Sequence, residues 1–226
     1  MLVDMSAQTL PPKAPTPGLR ERKKQQTRQN ISNVATALFL ERGFDNVTIA
    51  EIAAVADVAK MTVTNYFPRK EDLVLDLQDE FVVGLGRTVR ERRPGESALA
   101  ALRRAYLADA TAQNPVIGFS GPEFGRLITG SPALLTRLRE FHDERERALA
   151  ETLAAETGVT AADDDITPVT AAALLAGVHR VLFEETLRRT VSGEPNDTIA
   201  PAIIEYLTTA FDLLEPSLGY YAVRAA

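Results

Sequence analysis

The stretch "AKMTVTNYFPRKEDL", residues 59–73, is a poor helix former in a chain that otherwise favours helix. Residues 62–64 read Thr-Val-Thr, and β-branched residues lose side-chain freedom in a helix. Pro68 then prevents the helix from continuing. We therefore predict a short helix in which Val63 and Phe67 face a core, because packing must stabilise an element of so low a propensity.

Two further helices are predicted before this stretch. The first begins at Leu19, and Gly43 stands where a left-handed residue would end it. The second begins after Thr48, which forms a capping-box pattern with Glu51. Asp57 then suits a tight turn before the short helix from Lys60 to Phe67. The buried face of the first helix is predicted to contain Ile31, Val34, Ala35, Leu38 and Phe39.

Three short helices with a tight turn between the second and the third are typical of a helix-turn-helix domain. A recognition helix has to fit the DNA major groove, so it can be short, and its outer face should be small and polar. Thr62, Thr64 and Asn65 meet this requirement. The alternative is that these residues are only solvated and that Tyr66 belongs to the core.

Charge is distributed unevenly along the chain. Residues 1–70 contain ten Lys and Arg against six Asp and Glu, whereas residues 71–226 contain fifteen against twenty-five. A basic first part joined to an acidic body fits a nucleic-acid-binding domain followed by a part with another partner. Chance variation of the surface is the alternative.

The composition excludes several classes of protein. The chain has no cysteine, so disulfides, thiolate metal sites and cysteine nucleophiles are ruled out. No apolar run approaches the roughly 18–20 residues that cross a bilayer. Residues 1–18 lack the layout of a signal peptide and are predicted to be a disordered tail. We therefore expect a cytoplasmic protein that does not contact a membrane.

The sequence "NISNVATALFLERGFDNVTIAEIAAVADVAKMTVTNYFPRKEDLV" resembles the N-terminal domain of TetR-family transcriptional regulators. The resemblance covers roughly residues 20–75. It implies an all-α protein of about nine helices, with a helix-turn-helix domain at residues 19–68 and a ligand-binding and dimerisation domain at residues 69–226. It also implies a homodimer that binds double-stranded operator DNA and is released by a small molecule.

The sequence departs from the family pattern at four positions. Asp57 stands where the family most often has Gly in the turn, and Ala59 where it has Ser or Thr to cap the recognition helix. The missing cap costs on the order of 1 kcal/mol. Met61 replaces a common Gly, and Thr64 replaces a common aromatic residue. Since these last two positions face the bases, the operator cannot be copied from a relative.

The resemblance assigns DNA-binding roles to single positions. The predicted phosphate contacts are Thr48, Thr62, Asn65, Tyr66 and Lys70. Three base contacts are predicted. Lys60 would contact a guanine, and Met61 and Thr64 would make apolar contacts with a thymine methyl. A basic arm for the backbone or the minor groove would comprise Arg20, Arg22, Lys23, Lys24 and Arg28. The alternative for the arm is a solvated helix start.

The second domain is predicted to be helical throughout. Residues 114–132 contain three prolines and four glycines, so only a broken or very short helix is expected there. Gly84 and Gly86 indicate either close helix packing, which we favour, or a flexible joint. The predicted longer helices span residues 69–92, which link the two domains, 96–112, 132–157, 167–192 and 197–214.

The last two predicted helices carry wide apolar faces, which include Ile203 and Phe211. The resemblance implies that part of these faces forms the dimer interface. Such a dimer reads a palindrome with its two recognition helices.

A largely apolar ligand cavity is predicted beside residues 114–132, because the broken helix should leave packing between the fifth and seventh helices incomplete. Arg126 and His179 are candidates for binding a polar end of the ligand. The alternative is that the aromatic residues of this region only fill the core. The predicted aromatic lining is Tyr106, Phe119, Phe124, Phe141 and Phe183.

Enzymatic activity is not expected. No nucleophile elbow, phosphate loop or HExxH motif is present. His142 and Glu146 have the spacing of a metal pair, but a solvated, salt-bridged helix face is the preferred interpretation. Asp163, Asp164 and Asp165 are interpreted as a loop that caps the next helix. We predict no catalytic residue, no metal site and no cofactor.

The sequence therefore predicts a dimeric, ligand-responsive DNA-binding regulator. A repressor that is released from a palindromic operator by an apolar or amphipathic effector is preferred. An activator and a regulator controlled by a protein partner are the alternatives.

Overall fold

The structure, a computed structural model, describes residues 18–160 and 162–225. Within these ranges the chain forms nine α-helices and two 3₁₀ helices and contains no strand, which confirms the predicted all-α fold. The predicted disordered tail, residues 1–18, lies outside the described residues except for Gly18. The helices are α1 (Leu19–Arg42), α2 (Ile49–Val55), α3 (Lys60–Tyr66), α4 (Gln78–Arg90), α5 (Ala98–Thr111), α6 (Pro122–Thr129), α7 (Pro132–Thr157), α8 (Thr167–Ser192) and α9 (Asn196–Leu218).

A capping box and residues with positive φ mark the boundaries of helices α1 to α3. The Thr48 side chain accepts a hydrogen bond from the Glu51 backbone, and the Glu51 side chain accepts one from the Thr48 backbone, so the predicted capping box is present. Asp57 has a positive φ of 54° in the turn between α2 and α3. Gly43 also has a positive φ, 84°, but its ψ of 154° is not the predicted left-handed helical value. The combination of φ and ψ seen at Gly43 is accessible mainly to glycine.

The short helix α3 is held by its buried face. Val63 and Phe67 are almost completely buried in a core that also contains Ile31, Phe39 and Ile52. Ala59 provides no side-chain cap, as the sequence indicated. Packing against α1 and α2 therefore fixes an element that its own sequence stabilises poorly.

The prediction of one helix from residue 69 to residue 92 is wrong. A 3₁₀ helix spans Glu71–Leu73, turns follow it, and α4 begins only at Gln78. The Asp72 side chain accepts a hydrogen bond from the Arg69 backbone N–H at 3.2 Å and another from Arg137 Nε at 2.8 Å. These contacts, the second of which comes from α7, stabilise a bend that local helix propensity does not predict.

The remaining helices lie close to their predicted positions. Helices α7 and α8 span the predicted ranges, and α9 extends to Leu218, four residues beyond the predicted 214. The segment between α5 and α7 is broken into a 3₁₀ helix, Pro115–Ile117, and the short helix α6. None of the described helices is long and apolar enough to span a membrane.

Helix α4 packs closely against α7 because Gly86 has no side chain. A Cβ atom built on Gly86 would lie 2.6 Å from Thr152 Oγ1 and 3.5 Å from the Ala148 carbonyl oxygen. Gly84 has no such neighbour, since the nearest atom to its Cβ would be a carboxylate oxygen of Glu80 at 3.8 Å. Gly86 therefore supports the interpretation of close helix packing.

The core of the N-terminal helices continues into the rest of the molecule. One hydrophobic cluster joins residues of α1–α3 to residues of α4, α6, α7 and α8, among them Phe81, Ile128, Leu138 and Phe183. A second cluster fills the space among α4, α5, α7, α8 and α9. The N-terminal helices are thus packed on the larger part of the molecule and are not separated from it by a linker.

Candidate DNA-binding surface and ligand cavities

Helix α3 presents the predicted base-contacting side chains outward. Met61 is 69% exposed. Lys60 and Asn65 are also exposed, while Thr62, Thr64 and Tyr66 are half-buried. The Thr64 hydroxyl donates a hydrogen bond to the Met61 carbonyl at 3.1 Å. The outer face of α3 therefore carries the small polar side chains that a helix in the major groove requires, together with one large apolar side chain, Met61.

The basic residues at the start of α1 lie beside the C-terminal end of α3. Arg22, Lys24 and Arg28 line one groove together with Asn65 and Tyr66. Arg20, Lys23 and Lys24 line a second groove that also includes Tyr66. The fold thus brings the predicted arm and two of the predicted phosphate contacts onto one surface.

Arg28 has an intramolecular role that the sequence did not reveal. Its Nη2 donates a hydrogen bond to the Asp76 carbonyl at 2.9 Å, and its guanidinium lies 4.7 Å from the centre of the Phe67 ring. Arg28 thereby connects α1 to the bend at Asp76, just before α4. Its side chain is half-buried, unlike those of Arg22, Lys23 and Lys24.

Lys70 is likewise bound within the protein. Its Nζ donates a hydrogen bond to the Phe44 carbonyl at 2.6 Å and lies 4.4 Å from the centre of the Phe44 ring. Because an ammonium group has three donors, two remain for a phosphate. A substitution of Lys70 would change the turn after α1 as well as any DNA contact.

Thr48 is exposed at the N-terminus of α2, where a phosphate contact is predicted. The Glu51 carboxylate accepts hydrogen bonds from the Thr48 backbone N–H and hydroxyl, both at 2.8 Å. These bonds lower the pKa of Glu51, the backbone one contributing most. A phosphate at Thr48 would therefore lie beside an ionised carboxylate, whose charge Arg42 offsets from 3.4 Å.

A largely apolar cavity of about 630 Å³, the α1 cavity, lies between α1 and the helices that follow. Residues of α1, among them Ser32, Asn33 and Thr36, form one wall. The cavity lies beside residues 114–132, as predicted, but the wall expected from α5 is formed by α1. The broken segment does line the cavity, because Gly118, with a φ of 99°, approaches α8 so closely that a Cβ would lie 2.9 Å from the Phe183 carbonyl. Four of the predicted ligand-binding residues contribute to the lining, namely Phe119, Phe124, Phe141 and Phe183.

A second cavity of about 260 Å³, the Arg145 chamber, lies among α4, α5, α7 and α8. Of the predicted ligand-binding residues, Tyr106 and His179 line it. Arg126 lines neither cavity and is exposed on α6, so its predicted role beside the ligand is not supported by its position. Arg145, which sequence reasoning missed, is buried in the chamber wall. Its spacing from the buried Leu138 and Leu149 on α7 was the signal that could have revealed it.

Burial controls the ionisation of the groups around this chamber. It lowers the pKa of His142 to about 3 and that of Arg145 to about 10, and it lowers the pKa of His179 well below its usual value. It also raises the pKa of Tyr106. At neutral pH the two imidazoles and the phenol are therefore neutral, and Arg145 is a cation.

The prediction that His142 lies on a solvated helix face is wrong. Its ring is buried, 5.0 Å from the centre of the Phe81 ring and 5.4 Å from that of Phe183. Asp165 behaves as predicted for a capping loop, since its Oδ1 accepts a hydrogen bond from the Thr167 backbone at the start of α8. Among the described residues, no group of three or more His, Cys, Asp or Glu side chains could hold a metal ion.

Helices α8 and α9 expose apolar side chains on the surface of the protomer. Val181 is 61% exposed and Leu213 is 76% exposed. Ile203 and Phe211 are fully buried in the protomer core, so a substitution there would not report on a dimer interface. The exposed apolar residues of the two helices also include Val169, Leu174 and Tyr206.

Comparisons with known proteins agree with this arrangement. Residues 31–77 match the family described as "Bacterial regulatory proteins, tetR family". The HTH-type transcriptional regulator TcmR of Streptomyces glaucescens is 31% identical over 212 residues, which are 89% of this chain and 88% of TcmR. A crystal structure from Syntrophomonas wolfei, assigned to the same family, has a TM-score of 0.54 at 19% identity and covers 84% of this chain and 96% of its own. The SmeT–triclosan complex has a TM-score of 0.53 at 17% identity, with 85% and 91% of the two chains covered.

Proposed function

Because this chain belongs to the TetR family of bacterial transcriptional regulators, we propose that it is a dimeric repressor that a small apolar or amphipathic molecule releases from a palindromic operator. The proposal assigns base contacts to Lys60, Met61 and Thr64. Phosphate contacts are assigned to the exposed basic residues of α1 and to the hydroxyl and amide groups of α2 and α3. Operator binding places the two recognition helices of the dimer about 34–36 Å apart.

The single observation that carries this proposal is the position of the α1 cavity. One wall belongs to α1, which supports the recognition helix, and the opposite wall belongs to α6, α7 and α8. The volume of about 630 Å³ is in the range of small-molecule sites. The similar fold of SmeT has been solved in complex with triclosan, so this fold can hold a small molecule.

Release of DNA follows from differential binding to two states. A molecule that fills the α1 cavity stabilises one orientation of α1 relative to α6 and α8. If that orientation misplaces the two recognition helices for the operator, the effector lowers DNA affinity by the ratio of its own affinities for the two states. The continuous core between the N-terminal helices and the rest of the molecule transmits this movement.

Selection of bound duplexes from a random DNA library tests the proposal, and we expect a palindrome to be enriched. Lys24→Ala should weaken binding to all sequences alike and reduce the slope of log affinity against log salt by about one, because one phosphate contact is lost. Lys60→Ala should instead change the preferred bases. The matched control is Arg139→Ala, which also removes one positive charge, at an exposed position of α7. It should leave the slope of log affinity against log salt unchanged.

Two results would contradict this function. One is a library from which no sequence is enriched by a folded, dimeric protein. The other is an equal loss of affinity and salt slope in Lys24→Ala and Arg139→Ala, which would show a general charge effect and no docking through α1.

A further inference from the structure

The Arg145 chamber contains buried polar groups that have no hydrogen-bond partner among the described residues. The Tyr106 hydroxyl is one of them, and both ring nitrogens of His179 are others. The two rings meet edge to face, with centres 4.4 Å apart, so they contact each other without a hydrogen bond. Buried polar atoms are nearly always hydrogen-bonded to protein or to ordered water, so unsatisfied ones beside a cavity indicate that water or a ligand group binds there.

Arg145 adds a buried positive charge to the same chamber. Its side chain is 2% exposed, its Nε donates a hydrogen bond to the Phe81 carbonyl at 2.7 Å, and its guanidinium lies 3.8 Å from the centre of the Phe81 ring. No carboxylate of the described residues forms an ion pair with it, although Arg137 on the same helix has three such partners. A buried cation of this kind is costly unless another group neutralises it.

The acidic residues of the chamber already have partners. The Glu80 carboxylate forms an ion pair with Arg87, and Asp109 Oδ1 accepts a hydrogen bond from Asn114 Nδ2 at 2.7 Å. The free groups are therefore mainly donors, namely the terminal guanidinium nitrogens of Arg145, the Tyr106 hydroxyl and one N–H of His179. Such a set is complementary to an oxygen anion.

We propose that the Arg145 chamber binds the carboxylate of a small organic acid, which accepts hydrogen bonds from Arg145 and Tyr106 and lies against His179. The role of this acid as the effector rests on the proposed function, whereas its binding to the protein does not. Val116 lines both cavities. The carboxylate therefore belongs either to a free small acid or to an apolar molecule that extends into the α1 cavity.

Histidine-selective NMR provides a direct test, because the chain contains only two histidines. Formate, acetate and octanoate are titrated into the DNA-free protein up to about 50 mM at constant ionic strength, which detects even millimolar dissociation constants. We expect the His179 signals to shift more than those of His142. Acetamide, the neutral analogue of acetate, should bind at least about tenfold more weakly. A much higher affinity for octanoate than for acetate would identify an extended molecule, and similar affinities would identify a free small acid.

Two variants test the assigned contacts. Tyr106→Phe removes only an unpartnered hydroxyl, so the protein should stay folded while acetate binding weakens about three- to tenfold. Arg145→Gln should weaken it at least about tenfold. Arg180→Gln changes an exposed arginine next to His179 in sequence and should bind acetate as the wild type does.

The inference is overturned if none of the three acids shifts the His179 signals of the folded protein. Equal binding of acetate and acetamide would overturn it too, as would wild-type affinity in Tyr106→Phe. These measurements contain no DNA, so they stand even if operator selection fails. Conversely, an acid that binds the chamber and leaves the operator complex intact would contradict only its role as effector.

Discussion

The two histidines of the chain are buried as neutral imidazoles, and this has a consequence for stability. In the unfolded chain a histidine binds a proton below about pH 6.5. In the folded protein burial lowers the pKa of His142 to about 3 and that of His179 well below its usual value. The unfolded state therefore binds more protons than the folded state as the pH falls from about 6.5, and acid favours unfolding.

We expect the free energy of unfolding to decrease from about pH 6.5 to 5 by up to about 1.4 kcal/mol per pH unit for each histidine. Asp109, whose pKa burial raises, acts in the opposite direction at pH values between its unfolded and its folded pKa. His179→Leu should therefore remove about 1.4 kcal/mol per unit from the wild-type slope. Urea unfolding at constant protein concentration measures both slopes. Identical slopes in the two proteins would show that His179 is not held neutral.

Arg28 and Lys70 show that a residue type alone does not determine the role of a basic side chain. Both were predicted as DNA contacts, and both donate hydrogen bonds to backbone carbonyls that stabilise the N-terminal helices. Their partners, Asp76 and Phe44, are distant in sequence, so no local pattern could reveal them. Whether either residue also contacts DNA stays a prediction.

Helix α4 makes a close contact with α7 at Gly86. Gly86→Ala should lower the free energy of unfolding by about 1–3 kcal/mol, because the new methyl group overlaps Thr152 and pushes α4 away from α7. Gly84→Ala, two residues earlier on the same helix, should instead stabilise the protein by up to about 1 kcal/mol through helix propensity. Chemical denaturation of both variants measures these changes.

The comparison of Gly84 with Gly86 also distinguishes packing from flexibility. If both alanine variants stabilised the protein equally, α4 would not be constrained by α7, and the interpretation of a flexible joint would be favoured. Equal destabilisation by both would indicate that α4 needs glycine for another reason.

The helices that could be predicted from the sequence were those with local start and stop signals. The capping box fixed the start of α2, and prolines and glycines marked the ends of α7 and α8. The segment from residue 69 to residue 77 could not be predicted, because its bend depends on Arg137, more than sixty residues away. Tyr106 and His179 were predicted to bind the ligand, but the chamber that joins them to Arg145 was not, since its polar groups come from α4, α5, α7 and α8.

In the whole molecule, the exposed apolar surface of α8 and α9 predicts a dimer. Leu213→Glu and Val181→Glu should each leave the protomer folded, because both side chains are exposed, and should convert the dimer to a monomer at micromolar concentration. Leu107→Glu, at an exposed apolar position of α5, is the control and should stay dimeric. Analytical ultracentrifugation measures the change. A wild-type protein that sediments as a monomer would rule out the proposed interface.

Because α1 forms one wall of the α1 cavity, the N-terminal helices cannot be exchanged without changing the cavity. A chimera that joins residues 69–226 to the DNA-binding helices of another regulator would keep the helical bundle but would exchange Ser32, Asn33 and Thr36 for foreign side chains. We expect such a fusion to bind its new operator with an altered effector preference. A biosensor built by domain exchange would therefore have to carry the α1 wall along with the effector domain, and grafting only the face of α3 would be the safer way to retarget it.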